Sequence, residues 1–81
     1  MKFSAEVSVM LKDGIADPQG QTIERALPAL GFDGVHDVRV GKLIELTVEA
    51  RDEGEAKDLV RQMCDRLLSN PVIESFEVEI S

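Results

Sequence analysis

Val35-His36-Asp37-Val38-Arg39-Val40-Gly41-Lys42-Leu43-Ile44-Glu45-Leu46-Thr47-Val48-Glu49-Ala50 is the stretch on which the fold turns. Its β-branched residues and alternation read as two short strands, 35–40 and 43–50, meeting at Gly41-Lys42. Residues opposite each other in a hairpin point to one face of the sheet. A two-residue loop pairs Val40 with Leu43, which turns Val38 and Val40 away from the side of Ile44, Leu46 and Val48. A three-residue turn or bulge instead pairs Val40 with Ile44 and unites the apolar set. The tight loop would leave apolar groups on both faces, and the second face would then need cover from outside the chain.

Working outward, both flanks show helical periodicity. On the N-terminal side Asp17 is placed to cap free backbone N–H groups, and Pro18 occupies the first helical position, where its missing N–H costs nothing. Ile23, Ala26, Leu27 and Leu30 then form one apolar stripe, and Gly31 is suited to the left-handed residue that closes a helix. Pro28 falls inside this pattern and predicts a kink or a weakened last turn. On the C-terminal side a second helix is predicted over 53–69. Asp52 with Glu55 opens it, Ala56, Leu59, Val60, Met63, Leu67 and Leu68 make its stripe, and Asn70-Pro71 ends it.

The two ends of the chain read as strands. Phe3, Ala5, Val7, Val9 and Leu11 alternate with Lys2, Ser4, Glu6, Ser8 and Lys12, and only Met10 is out of place. Phe76, Val78 and Ile80 alternate with Ser75, Glu77 and Glu79. A faint internal echo links Val35, Val38 and Val40 after the first helix to Ile73, Phe76 and Val78 after the second. The order strand, helix, strand, strand, helix, strand predicts an α+β ferredoxin-like βαββαβ domain spanning 1–81. Its four-stranded antiparallel sheet would carry two helices on one face.

Size and charge narrow the function classes. A chain of 81 residues buries only about 60% of its unfolded surface and is marginal alone. One cysteine excludes an internal disulfide, and one His with one Cys cannot build an N/S zinc site. Association is the remaining support. Nine basic against sixteen acidic side chains give a net charge of −7, which repels nucleic-acid phosphates and anionic lipid. With no apolar run near the length of a membrane span and no signal-peptide pattern, a cytoplasmic location is expected.

Groups for catalysis are few. His36, beside Asp37, reads as a solvated histidine at a strand entry, and Cys64 as a small hydrophobe on the second helix. Glu6, Glu45, Glu49, Glu77 and Glu79 should project from the sheet face away from the helices, a shallow acidic surface rather than an acid/base pocket. An RNA-binding sheet needs stacking aromatics, and the chain has no Tyr or Trp. A metal carrier of this topology needs paired thiols. An acylphosphatase-like anion loop needs an Arg that Leu11-Lys12-Asp13-Gly14-Ile15 lacks. A binding or assembly module remains. Two stretches exceed what the fold requires: Asp17-Pro18-Gln19-Gly20, where capping does not explain Gly20, and Val38-Arg39-Val40-Gly41-Lys42, whose Arg39 and Lys42 suit an acidic partner surface.

These blocks, with Leu11-Lys12, Gly31-Phe32, Ile44-Glu45-Leu46 and Leu68-Ser69-Asn70-Pro71-Val72-Ile73-Glu74, resemble in order and spacing the PurS family, the small subunits of phosphoribosylformylglycinamidine synthase. Pro28 departs from that pattern. The resemblance implies a non-catalytic part in purine biosynthesis: a homodimer or tetramer that bridges a large synthetase subunit and a glutaminase subunit and supports ammonia transfer. It implies no cofactor or metal on this chain, while the complex uses ATP and magnesium. By position, Asp17, Pro18, Gln19, Gly20, Arg39, Gly41 and Lys42 are the expected partner contacts. The alternative is a small-molecule regulatory module resembling an amino-acid-sensing ACT domain.

Overall fold

A computed structural model describes all 81 residues. The elements are β1 (Lys2–Leu11), α1 (Pro18–Ala26), β2 (Gly41–Glu49), α2 (Glu53–Met63) and β3 (Glu74–Ile80). Alternation in β1 does what period two requires: Ala5, Val7 and Val9 are buried while Ser4, Glu6 and Ser8 face water. β1 lies in the middle of an antiparallel sheet ordered β2-β1-β3. Val7 sits opposite Ile44 on one side and Val78 on the other, so the inward sets of the three strands share a face.

The sheet therefore has three strands, not the four expected. Residues 35–40 form no strand, and Gly41-Lys42 is the start of β2 rather than a hairpin turn. The cause is visible in the backbone donors. Val38 N donates to the Glu24 carboxylate at 3.0 Å, and Val40 N donates to Asp17 Oδ2 at 2.8 Å. Both donors are satisfied by side chains of the first helical region and are lost to a ladder. Val38, Val40, Ile44, Leu46 and Val48 also share one parity, so a chain that runs straight on keeps them on one side without any turn. Asp37, with φ 58°, takes a left-handed backbone conformation just before this run.

Pro28 acts as its chemistry predicts. α1 gives way to a 3-10 turn at Leu27–Leu30, and Gly31, with φ 96°, closes it. At the far end of α2 a π turn, Cys64–Leu68, returns Leu68 to the core, and Ser69 donates through both N and Oγ to the Cys64 carbonyl at 3.0 Å.

The core is drawn from β1, β2, Ala50, α2 and the π turn, with Val7, Val60 and Cys64 at its centre. None of its buried side chains comes from α1. The two helices thus do not form a shared layer over the sheet. α1 instead stands off as an arm, and the molecule measures 51 × 25 × 14 Å, longer than the roughly 33 Å of a ten-residue strand. No helix is long and apolar enough to cross a membrane.

Candidate partner interface

The arm joins the sheet at one junction, and the two singled-out stretches meet there. Asp17 caps α1 by accepting from Gly20 N at 3.0 Å through Oδ1, while Oδ2 takes Val40 N at 2.8 Å. The Gly20 N–H, then the Val40 N–H, hold this carboxyl below its ordinary range, and the Arg39 charge adds to them. One carboxylate therefore starts the helix and ties it to the entry of β2.

Gly20, the residue that capping left unexplained, is accounted for by space. It is the only buried residue of α1. A Cβ there would overlap the Val38 carbonyl oxygen and lie 2.8 Å from Asp17 Oδ2. Gly41 has a related reason: a Cβ would collide with Met10 Sδ and approach the Val9 carbonyl oxygen to 2.6 Å. Met10, the residue out of step in β1, is the register partner of Gly41 and fills its missing side chain's space.

Arg39 and Lys42 are exposed on either side of this junction. The Arg39 guanidinium donates to the Leu11 carbonyl and lies 3.5 Å from the Asp13 carboxylate. Lys42 lies opposite Val9 on the inward side of β2, with Nζ 3.8 Å from Glu74. Between them Pro18, Gln19 and Val40 wall two adjoining hollows of about 270 and 440 Å³, the first reaching Lys42 and Glu74 and the second reaching Ile23.

All seven residues expected at a partner surface thus gather at one end of the sheet. Asp17, Gly20 and Gly41 build the junction, whereas Pro18, Gln19, Arg39 and Lys42 present groups to water. Glu24 and Glu74, which complete it by accepting from Val38 N and facing Lys42, escaped the sequence reading. Glu24 stands in no motif, and Glu74 only closes the Leu68–Glu74 block; long-range contact is what places both at the junction.

The remaining candidates lie elsewhere. His36 is exposed on the irregular segment. Cys64 is fully buried, and burial, with the Asp65 charge behind it, pushes its thiol up, away from the thiolate a nucleophile needs. No three His, Cys, Asp or Glu side chains meet in a metal-binding group. The five sheet glutamates do share the outer face, where Glu6 sits between Glu45 and Glu79 in register. This is a surface equipped for contact, with shallow hollows, hydrogen-bonding edges and mixed charge.

Comparison with known proteins gives one answer. Residues 4–81 match the family model PurS, described as phosphoribosylformylglycinamidine (FGAM) synthase. A Methanocaldococcus jannaschii protein described as phosphoribosylformylglycinamidine synthase subunit PurS is 41% identical over 78 residues, 96% of this chain and 94% of that one. Its Bacillus subtilis counterpart is also 41% identical over 78 residues, covering 96% and 92%. Among solved structures, the M. jannaschii PurS crystal structure superposes with TM-score 0.87 at 39% identity over 98% of this chain and 95% of that one. A chain in the structure of PurLQS from Thermotoga maritima superposes with TM-score 0.91 at 37% identity over 100% and 99%.

Proposed function

From the premise that the chain belongs to the PurS family of phosphoribosylformylglycinamidine synthase subunits, we propose that it acts by docking: it self-associates and bridges the large synthetase subunit and the glutaminase subunit. ATP, magnesium and the reacting groups then belong to the larger subunits, and this chain supports ammonia transfer between them in the cytoplasm. One observation carries the reading. Leu30, Phe32, Leu67 and Val72 are each more than half exposed, in a chain that buries only 10 of 81 residues. A domain that leaves its large apolar side chains outside its core is built to be covered.

The junction residues supply the polar side of the contact. Pro18, Gln19, Arg39 and Lys42 are the groups proposed to meet a partner, held in place by Asp17, Gly20 and Gly41. The test is reconstitution with the two larger subunits and an assay of glutamine-dependent amidotransferase activity. Activity should fall sharply when this chain is left out, and full activity without it would refute the proposal. Arg39→Glu and Lys42→Glu should weaken assembly more than they lower the melting temperature, since exposed ion pairs contribute only about 0–1 kcal/mol to folding. A melting shift with an amino acid and no complex formation would favour the regulatory-module reading.

A further inference from the structure

Two Asp-Gly pairs, Asp13-Gly14 and Asp33-Gly34, stand in opposite surroundings. In such a pair the backbone can attack its own side chain. Glycine has no Cβ to screen its amide nitrogen or to limit the rotation that brings this nitrogen onto the carboxyl carbon. How fast a given pair reacts depends on how often the chain reaches that geometry, so the hold of its neighbours decides.

The first pair is fastened. It is the centre of a turn closed by Ile15 N on the Lys12 carbonyl at 3.2 Å, with Gly14 at φ 84°. Lys12 is itself anchored, donating through N to the Ile73 carbonyl at 2.8 Å and through Nζ to that of Pro71 at 2.7 Å. The Arg39 guanidinium lies 3.5 Å from the Asp13 carboxylate.

The second pair is held by nothing. Phe32 N donates to the Leu27 carbonyl at 3.1 Å, and the next hydrogen bond along the chain is Val38 N on Glu24 at 3.0 Å. Between them residues 33–37 make no hydrogen bond and no ion pair, and all are exposed. A span of this kind opens at little free-energy cost. Gly34 also lacks the structural reasons that the other loop and junction glycines have. Its φ is not left-handed, and a Cβ there would meet nothing within 4 Å.

We propose that Asp33-Gly34 is a site of spontaneous isoaspartate formation in the folded protein, while Asp13-Gly14 is protected from the same reaction. The Gly34 nitrogen attacks Cγ of the neutral Asp33 carboxyl group. The N–Cγ bond forms, the Cγ–OH bond breaks, and the amide proton leaves with that hydroxyl as water. Water then opens the resulting five-membered imide at the former main-chain carbonyl of Asp33. The chain now continues through the side-chain carbonyl, and a carboxylate stands on Cα. The water lost in the first step is regained in the second, so mass and charge are unchanged and no other reactant is consumed. One methylene enters the main chain on the return path from the arm, between its close at Gly31 and the tie at Val38.

The test ages the full-length chain in mildly acidic buffer, folded and in urea. Peptide mapping with fragmentation that separates aspartate from isoaspartate reads each position. Methyl transfer from S-adenosylmethionine by an isoaspartyl carboxyl methyltransferase reads the total. In the folded chain isoaspartate should build up at least about tenfold faster at 33 than at 13, preceded by a species one water lighter. In urea the two rates should converge. Gly34→Ala, which the open space admits, should fold as wild type by circular dichroism and lose most of the signal at 33. Equal rates at 33 and 13 in the folded chain overturn the proposal. A difference that persists in urea overturns it too, because the fold is then not its cause. So does a folded Gly34→Ala protein that reacts as fast as wild type.

Discussion

Replacing Gly20 with alanine sets two physical rules against each other. Gly20 is the third residue of α1, and in an exposed helix interior glycine is about 1 kcal/mol less favourable than alanine, so propensity alone predicts a more stable protein. The junction predicts the reverse. The new methyl would overlap the Val38 carbonyl oxygen and crowd Asp17 Oδ2 at 2.8 Å. Neither neighbour is a free side-chain end: Val38 is backbone, and Asp17 is held by Gly20 N and Val40 N. Overpacking costs about 1–3 kcal/mol, and because the ties on both sides limit relaxation the upper part of that range, about 2–3 kcal/mol, applies here. Subtracting the propensity gain leaves a net loss of about 1–2 kcal/mol, or a fall in melting temperature of roughly 4–16 °C for a domain of this size. The assay is urea and thermal unfolding of both proteins at one fixed concentration, because self-association links stability to concentration. A Gly20→Ala protein as stable as the parent, or more so, would show that Val38 does not press on the helix and would remove the junction as the reason for this glycine.

Three further outcomes follow from the same contacts. Asp17 has its folded-state value lowered, so its contribution is present above the unfolded carboxylate range near pH 4 and is lost as pH falls through the lowered value. The stability gap between wild type and Asp17→Asn should therefore narrow as acid unfolding is followed from pH 5 to pH 2, and a constant gap would refute the assignment. Cys64, buried and with its thiol pushed up, should react with a thiol reagent at least about tenfold more slowly in the folded protein than in urea, and equal rates would place it at the surface. Glu6 lies directly between Glu45 and Glu79, so Glu6→Lys should stabilise by about 0.5 kcal/mol for each repulsion relieved, an effect that shrinks as salt is added; no gain at low salt would mean that the row is already neutralised.

What could be read from the sequence is what local chemistry decides. The alternation of β1 carried directly into buried and exposed sides and that of β3 into half-buried and exposed ones, Asp17-Pro18 started α1, and Pro28 converted its end to a 3-10 turn. The fourth strand failed for a reason no local window contains. Val35–Val40 has strand composition, but its donors at Val38 and Val40 are taken by Glu24 and Asp17, which lie 14 and 23 residues away. Composition says that a segment can pair; only the tertiary arrangement says which acceptors reach its N–H groups first. The site was legible in the same measure. Gly20 stood out because capping did not account for it, and Met10 because it broke the alternation of β1. Each marks a close approach whose other side, Val38 or Gly41, was not visible in sequence.

The diverted strand and the standing-off helix are one event, not two. Had 35–40 folded back as a hairpin, it would have paired along the outer edge of β2, and α1 would have been drawn over Ile44 and Leu46 beside α2. The resulting domain would have been complete by itself. Because Asp17 and Glu24 hold Val40 and Val38 instead, β2 keeps both an unpaired edge and a half-covered inner face. An open edge and bare aliphatic side chains beside it are a hazard for a solitary protein. They are an asset for a chain of the PurS family, since the bonds and contacts withheld from its own fold remain for a partner. Loss of the Asp17 tie should therefore disturb assembly through the angle of the arm even where the folded core of β1, β2 and α2 is untouched.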